Sequence, residues 1–560
     1  APRLMLLIAS FVSATIIGAV VGLFTVYFVK LVMAAEVLRI QYRPDTSHLS
    51  FELFFYQAGL LFLGMCILIV IRRIFRANRW HGPAESILAA HVPAQRPDTE
   101  KGLLSTLASA ISLAGGASVG QYGPLVHFGG VIGDYFSKLT RDQTAPHILL
   151  ACGAAAAISS GFGAPLAGLI FAHEVIVRHF SLKAVAPILI SSVVAHTVSE
   201  EFYSNEALLQ TTVGGISNLN EIFPLAILGM IAGLLASLYM RGLTGYLPIP
   251  KKIPTYFLPV IAGVICGLVG LFLPETLGLG TNFIRNIIAE PLNINYIALL
   301  LIGKLFLTVI CIRLNLFGGI FSPALFLGVS IGCIFATLFQ FILPDLNYSL
   351  FVVAGMAAVT SSVIGGPIST LVIVFELTSD YQVALGAGIS ICFANIISAK
   401  IYGHSAFDQI LLNRNINIQI GRDKLQLQSV KVKSILRKDF IRVAPEHTVE
   451  KIINILAQEK TSEGYLINPK GVLIGKIELP ELLLLENKNI PPNIEIYDKF
   501  LFLDENNSVL EAIDIIKDFV GESIPIIDQN KCIIGVITES DLFSQLLIAE
   551  KIRNKEELSD

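Results

Sequence analysis

Long runs of apolar residues, separated by short polar or glycine-rich stretches, fill the chain up to about residue 412. The clearest runs cover residues 4–32, 51–71, 222–238, 256–272, 297–312 and 383–399. Several approach the roughly 20 residues that a helix needs to span a bilayer, and others are shorter and interrupted by Gly or Pro. The pattern predicts a polytopic membrane protein in which some helices stop inside the membrane, as they do around transport sites.

The pattern changes after residue 412, where Lys, Asp, Glu and Asn become frequent. Two successive stretches there show the alternation of strands and helices in the order β-α-β-β-α, which predicts a doubled soluble module. We therefore expect an all-α membrane domain in residues 1–412, with halves near 1–200 and 220–412. The segments predicted to follow it are a linker (413–430), two α/β modules (431–489 and 490–552) and a tail (553–560).

Composition supports this division and excludes other classes. The chain is 54% hydrophobic and 15% charged, with a mean hydropathy of +0.69, well above a soluble chain of this length. The first apolar run is too long for a signal peptide, so we expect a membrane segment. A net charge of −3 gives no reason to expect nucleic acid. The seven Cys have no paired spacing, and no nucleophile–base pattern occurs, so we expect no metal site and no enzyme.

A glycine-rich stretch before an apolar helix is the candidate site. Residues 120–124 read Gly-Gln-Tyr-Gly-Pro, and an apolar, helix-like segment follows Pro124. Glycine permits a non-helical approach, and proline suits a first helical turn because its missing N–H costs nothing there. Such a helix start exposes unpaired N–H groups and partial positive charge, which attract anions. The stretch therefore predicts an anion site.

The same patterns occur a second time about 200 residues later. Residues 319–323 align with residues 120–124 at an offset of 199, and residues 355–376 align with residues 153–174 at an offset of 202. The second alignment places Glu376 opposite Glu174. Two repeats in the same order predict two homologous halves with a transport site between them.

These motifs resemble the CLC family of chloride channels and chloride/proton exchangers. The segments that carry the resemblance are residues 120–124 (G-x-E-G-P in the family), 318–323 (G-G-I-F-x-P), 163–168 and, more loosely, 81–85. Residues 535–542 resemble a CBS domain, so that the polar region is similar to a tandem CBS pair. The resemblance implies inverted halves with broken re-entrant helices, a homodimer with one anion pore per subunit, and CBS domains in the cytosol. It also implies a location in the inner or plasma membrane.

Several matched positions depart from the family's pattern. The external gating glutamate falls on Tyr122, and the internal proton-transfer glutamate falls on Val175. A phenol ionises only well above neutral pH and cannot compete as an anion, although it can donate a hydrogen bond to chloride. With both carboxylates absent, we expect passive, proton-uncoupled chloride transport. The candidate gate residues are Gly120, Tyr122, Gly123 and Pro124.

The anion contacts implied by the resemblance also lack side-chain hydroxyls. The family's central tyrosine falls on Phe407, and the serine of its first turn falls on His81. Coordination is therefore expected to depend on backbone N–H groups, with Tyr122 as a possible hydroxyl donor. The anion-binding candidates are His81, Gly82, Tyr122, Ile320, Phe321 and Phe407.

Several roles stay open from the sequence alone. Tyr122 either gates the pore or packs as an inert wedge. Glu174 and Glu376 are ionisable residues in apolar helices, which favours function, but their repeat symmetry suits a structural pair at helix ends. His127 and His173 either relay protons or are buried structural residues.

Three rival functions follow from these open roles. A coupled exchanger would use substitute proton carriers such as His173 or Glu174. A CBS-regulated cation channel is disfavoured, because helix N-termini present a field of the wrong sign. A non-transporting scaffold would have its pore shut by Tyr122.

The second soluble module carries a candidate nucleotide site. Thr538 and Asp541 match the hydroxyl and carboxylate with which CBS domains hold a ribose, and an adenine nucleotide is the candidate ligand. The first module has Glu478 and Glu481 at the matching places, so its half-site looks degraded. The alternative is a structural role in dimerisation.

Overall fold

The computed structural model of the chain forms two compact units, Ala1–Asn417 and Ile418–Ser559. It describes residues 2–42, 51–76, 79–92, 95–140, 145–202, 213–216, 218–245, 254, 257–492, 500–517, 519 and 521–559. The described part of the first unit is built from helices, whereas the second unit combines helices with short strands.

The helices of the first unit divide between its two halves. Those of the first half are α1 (Pro2–Gln41), α2 (Phe51–Ile74), α3 (Pro83–His91), α4 (Thr99–Ala114), α5 (Tyr122–Leu139), α6 (Pro146–Phe162), α7 (Pro165–Phe171) and α8 (Leu182–Phe202). Those of the second half are α9 (Ile222–Thr244), α10 (Leu258–Phe272), α11 (Thr281–Ala289), α12 (Ile294–Arg313), α13 (Phe321–Phe339), α14 (Tyr348–Ile364), α15 (Pro367–Thr378), α16 (Tyr381–Ile401) and α17 (Ala406–Leu412).

Long and short apolar helices are mixed in this unit, as the sequence predicts. Seven helices of the described chain are long and apolar enough to cross a membrane, and five shorter apolar helices of 10–17 residues lie between them. The chain is a multi-pass membrane protein.

Each half contains a helix that breaks at a glycine and restarts at a proline. Helix α6 ends at Gly163, with φ 69°, and α7 begins at Pro165. Helix α14 ends at Gly365, with φ 71°, and α15 begins at Pro367. Glycine is favoured at a helix end that adopts the left-handed conformation, and proline suits the first turn of the helix that follows. The broken helices predicted from the sequence are confirmed.

Paired glycines bring neighbouring helices of each half into backbone contact. A Cβ on Gly153 would lie 1.8 Å from the carbonyl oxygen of Gly129, which joins α6 to α5. A Cβ on Gly355 would lie 2.6 Å from the carbonyl oxygen of Gly328, which joins α14 to α13. Small residues allow this close approach where apolar burial alone does not drive helix association.

The second unit contains two α/β modules with the same order of elements. The first consists of β1 (Arg442–Val443), α19 (Val449–Glu459), β2 (Glu463–Ile467), β3 (Leu473–Glu478) and α20 (Leu479–Leu483). The second consists of β4 (Leu503–Asp504), α21 (Val509–Ile515), β5 (Ile524–Ile527), β6 (Ile533–Ile537) and α22 (Glu539–Ser559). In each three-stranded sheet the first two strands are parallel and the last two are antiparallel.

The segment predicted as a linker, residues 413–430, differs from that expectation. It contains helix α18 (Arg422–Ser429), which belongs to the second unit. Leu427 of this helix is buried in the same core as Leu503 and Ile524 of the second module. The segment is mostly polar, so its few apolar positions did not predict a helix. The burial of these positions holds the helix in place.

Candidate functional site

The two glycine-rich stretches meet and form an antiparallel bridge. Gly120 N–H donates to the Gly319 carbonyl oxygen at 2.6 Å, and Gly319 N–H donates to the Gly120 carbonyl oxygen at 2.5 Å. A Cβ on Gly120 would lie 2.9 Å from the Gly319 oxygen, so that the approach requires glycine. The bridge places the first turns of α5 and α13 beside each other, one from each half.

At each of these two helix starts the N-cap residue makes no side-chain cap hydrogen bond. The residues at the cap positions are Gln121 for α5 and Ile320 for α13, and neither accepts a side-chain hydrogen bond from its helix. The first-turn N–H groups and the partial positive charge at these ends favour a small anion. Ile320 is the N-cap residue of α13 and Phe321 its first residue, and their role as anion contacts stays a prediction.

An aromatic cluster packs at the helix starts. The Tyr122 ring is stacked on Phe162 with centroids 3.9 Å apart, and Phe321 meets Tyr122 edge-on at 5.5 Å. Phe162 and Phe321 are themselves 5.1 Å apart. Tyr122 is 6% exposed. Phe162 was not among the residues predicted for the site, although its place beside the break at Gly163 was a usable signal.

A cavity of about 240 Å³ reaches the same helix starts. The sequence-predicted residues in its lining are Gly82, Gly123, Pro124, Ile320 and Phe407. The structure therefore brings together the predicted residues of α3, α5, α13 and α17. The aromatic rings of Tyr122 and Phe321 lie outside this lining.

Arginines that the sequence analysis did not select give the cavity its charge. Arg72, Arg79 and Arg414 line it, together with Glu85. A Glu85 carboxylate oxygen accepts from Arg414 at 2.7 Å and lies 3.8 Å from Arg79, while the other oxygen accepts from Gly82 N–H. Three guanidinium groups and one carboxylate leave an excess of positive charge, which attracts anions into the cavity.

His81 is placed differently from the anion contact that the resemblance implies. Its imidazole is not part of the cavity lining, and its ring lies 6.1 Å from that of His127. The backbone N–H of His81 donates to Ser105 Oγ, and His127 Nδ1 is 2.8 Å from Ser86 Oγ. His81 is therefore held beside α4 and α5, and its contact with an anion stays a prediction.

The two carboxylates at matching positions of the repeat cap each other's helices. Glu174 accepts from the backbone N–H groups of Ile368 at 3.0 Å and Ser369 at 2.7 Å, at the start of α15. Glu376 accepts from those of Leu166 and Ala167, both at 2.8 Å, at the start of α7. This geometry is that of the structural pair at helix ends, which was one of the two roles left open.

The position of the family's internal proton glutamate is apolar here. Val175 is 1% exposed and lies in a π-helical turn, Ala172–Val177, that continues α7. His173, on the same turn, has its Nδ1 3.0 Å from the carbonyl oxygen of His179. This turn of the chain therefore presents no carboxylate beyond the helix cap of Glu174.

The candidate nucleotide residues in the second unit contact each other and an arginine. Asp541 accepts from Thr538 N–H at 3.0 Å and from Thr538 Oγ1 at 2.7 Å. Its other carboxylate oxygen accepts from Arg437 Nε at 2.9 Å. Partial burial raises the pKa of the Asp541 carboxyl, but hydrogen bonds from Arg437 and Thr538 outweigh it and hold that pKa below its usual value. A ribose would have to displace Arg437 from this carboxylate.

Comparison with known proteins agrees with this architecture. The family profile described as "Voltage gated chloride channel" matches residues 62–399, and the CBS domain profile matches residues 495–548. The crystal structure of a eukaryotic CLC transporter superposes with a TM-score of 0.64 and 19% identity, covering 96% of this chain and 98% of that one. At this identity the likeness shows the fold.

Two curated relatives carry different functional names. The H(+)/Cl(-) exchange transporter ClcA of Vibrio vulnificus (strain YJ016) is 30% identical over 331 residues, which are 57% of this chain and 70% of the relative. The voltage-gated ClC-type chloride channel ClcB of Escherichia coli (strain SMS-3-5 / SECEC) is 28% identical over 359 residues, which are 63% of this chain and 84% of the relative. One name is that of an exchanger and the other that of a channel. The family profile spans more than half of the chain, and the protein therefore belongs to the CLC family of anion channels and transporters, with a CBS region after its membrane domain.

Proposed function

We propose that the protein carries chloride passively across a membrane, without coupled proton movement. The observation that carries this proposal is Tyr122 at the start of α5, in the position where the family's exchangers use a glutamate. Its ring packs on Phe162 and Phe321 directly beside the two helix starts. A neutral phenol at this point neither competes with chloride nor shuttles a proton at neutral pH.

The electrostatics of the cavity support the same proposal. The arginines at the cavity attract chloride, and the first-turn N–H groups of α13 at Ile320 and Phe321 replace part of its water shell. Gly82 and Phe407 also line the cavity, and neither contributes a hydroxyl. The aromatic cluster of Tyr122, Phe162 and Phe321 then acts as the gate at the helix starts.

We extend the proposal to the assembly and its regulation. Two copies form a homodimer with one chloride pathway each, in an inner or plasma membrane, and the CBS domains lie in the cytoplasm. The protein acts as a transport protein and catalyses no reaction. Adenine nucleotide binding at Thr538 and Asp541 would compete with Arg437 and so alter the CBS region.

The rival function within the family is chloride/proton exchange through other carriers. The relative named as an exchange transporter favours it, and His81 and His127 are buried titratable groups near α5. Val175 and the capping role of Glu174 weigh against it. The two functions differ in whether protons move when chloride moves.

The test is chloride efflux from proteoliposomes, with a potential set by a potassium ionophore and the external pH recorded at the same time. We expect chloride release well above that of protein-free liposomes, with no pH change beyond theirs. Absence of chloride release would contradict the transport function, and the scaffold alternative would then replace it. Proton movement in fixed ratio to chloride would contradict only the uncoupled mechanism.

A further inference from the structure

Lys304 on α12 is a fully buried cation that the pathway described above does not use. Its side chain is 0% exposed. Nζ donates to the carbonyl oxygens of Thr276 at 3.1 Å and Gly278 at 2.7 Å, and it lies 5.1 Å from the centre of the Phe326 ring. These contacts satisfy the donors of the ammonium group without supplying a negative charge.

No carboxylate of the described residues pairs directly with this ammonium group. None forms an ion pair with Lys304 within 4.0 Å. The acidic groups of the neighbouring cavity have other partners, since Glu36 lies 3.8 Å from Arg39 and Glu275 accepts from Tyr296 at 2.7 Å. A buried cation without a paired carboxylate is costly, and ionisable residues inside membrane proteins are retained mainly where they act.

Contacts connect α12 to the first glycine-rich loop at two points. Gly278, which accepts from Lys304, donates through its N–H to the Gly116 carbonyl oxygen at 3.1 Å. One turn further along α12, Thr308 Oγ1 is 3.2 Å from Ser118 Oγ. Gly116 and Ser118 belong to the loop that leads to the Gly120 bridge, so α12 sets the position of that loop.

The same lysine also reaches the second helix of the site. Phe326, whose ring faces Nζ, is five residues after Phe321 at the start of α13. Five residues of helix rise about 7.5 Å. This rise, the length of the Phe326 side chain and the distance from its ring to Nζ together place the charge of Lys304 within about 20 Å of the start of α13.

We propose that Lys304 is a positioning and affinity-determining residue for the anion site: it fixes the loop before α5 through Gly278 and contributes its charge to anion binding. The inference rests on the proposed function in taking chloride as the anion. At an effective dielectric constant of about 20, a unit charge at about 20 Å changes the affinity for chloride about fourfold. Lys304 does not touch the anion and acts through the field and the loop.

Equilibrium chloride binding to the purified full-length protein tests this without relying on transport. Calorimetric titration with chloride is compared among the wild type, Lys304→Met, Lys304→Arg and Thr308→Val. We expect Lys304→Met to weaken binding about fourfold and Lys304→Arg to stay within twofold of the wild type. Thr308→Val removes the contact with Ser118 but keeps the charge of Lys304 and its contact with Gly278, so it should lower the Tm and leave the affinity nearly unchanged.

Unchanged chloride affinity in Lys304→Met, or an equal loss in Lys304→Arg, would overturn the proposal. If Lys304→Met does not fold, Lys304→Gln, which keeps a donor but no charge, takes its place with the same expected loss. A wild type that binds chloride but releases none from proteoliposomes would contradict the proposed transport function and leave the role of Lys304 standing. A wild type that does not bind chloride would overturn both.

Discussion

The two halves of the membrane unit share the glycines and glutamates that hold the helix starts together. They differ in the side chains at the candidate anion site. Gly120 pairs with Gly319, and Glu174 and Glu376 cap each other's helices across the two halves. By contrast, the repeat offset of 199 places Tyr122 opposite Phe321. The repeated residues, the bridging glycines and the capping glutamates, stabilise the facing, broken helices.

The residues matched by the same offset also lie in environments of different charge in the two halves. Lys304 and its ring partner Phe326 in the second half correspond to Ser105 and His127 in the first. Lys304 places a buried cation against Phe326, whereas Ser105 accepts from the His81 backbone and His127 meets Ser86. The difference shows that the scaffold is symmetric and the electrostatics are not, so function is to be sought at the positions that break the repeat.

The largest expected effect tests the symmetric packing of the glycine pairs. A Cβ at Gly153 would come within 1.8 Å of backbone, and one at Gly355 within 2.6 Å. We expect Gly153→Ala to abolish the folded protein in size-exclusion chromatography, and Gly355→Ala to fold with a loss of about 1–3 kcal/mol. A folded variant of either kind with the Tm of the wild type would show that its glycine contact is not the one described.

The reciprocal caps should give similar losses if the halves are built alike, with the larger loss at Glu174, which also accepts from Ser369 Oγ at 2.6 Å. Glu174→Ala and Glu376→Ala each leave two backbone N–H groups without their carboxylate, which costs about 1–3 kcal/mol. Thermal unfolding in detergent measures this, with the matching Glu→Gln variants as controls that keep an acceptor oxygen. A loss confined to Glu174, accompanied by altered chloride flux, would contradict a purely structural pair.

Restoring a carboxylate at Tyr122 sharpens the functional asymmetry. We expect Tyr122→Glu to reduce chloride flux about tenfold at pH 7.5, because a negative carboxylate competes for the anion site. Flux should recover as the pH falls through the carboxyl pKa, where the side chain becomes neutral. Tyr122→Gln is the matched control, and we expect its flux, like that of the wild type, to depend little on pH. Steep acid activation of the wild type that Tyr122→Phe abolishes would contradict this account.

The smallest expected effect extends the comparison to the repeated modules of the second unit. The pKa of Asp541 is lowered in the folded chain, so its stabilising contribution is present above the unfolded value of about 3.9 and disappears as the pH falls through the folded value. Because the group is partly exposed, we expect Asp541→Asn to cost only about 0.5–1 kcal/mol at pH 7.

Thermal unfolding of the full chain at pH 7 and at a pH well below 3.8 measures this contribution, because the folded carboxyl titrates below its usual value. Glu481→Gln, at the matching place in the first module, is the control and should change the Tm little at either pH. A Tm difference for Asp541→Asn that persists at low pH would contradict the contribution assigned to the charged carboxylate.

Repeat spacing made much of the scaffold predictable. The offsets from Pro124 to Pro323 and from Glu174 to Glu376 located both helix starts and the paired carboxylates from the sequence alone. The order of elements in the two soluble modules was predictable from strand and helix alternation. Local sequence carries these features because glycine, proline and apolar periodicity act over a few residues.

The rest depends on contacts between residues far apart in the chain. Arg414 contacts Glu85 across 329 positions, so the local sequence around each residue does not predict the charge of the cavity. The partners of Lys304 are likewise distant in the chain and are not predicted by the sequence around it. The surroundings of His81 include Ser105 of α4 and His127 of α5, which the aligned motif does not contain. Helix α18 was missed because only a few apolar residues hold it.

Proton movement driven by a chloride gradient tests the central claim most directly. Proteoliposomes loaded with high chloride are diluted into low chloride without an ionophore, and the internal pH is followed with a trapped dye before and after a potassium ionophore is added. The account predicts no protein-dependent pH change before the ionophore is added, and rapid chloride release once a potassium ionophore carries the compensating charge. Internal acidification that depends on the protein and on the chloride gradient, in a fixed ratio to the chloride released, would contradict it.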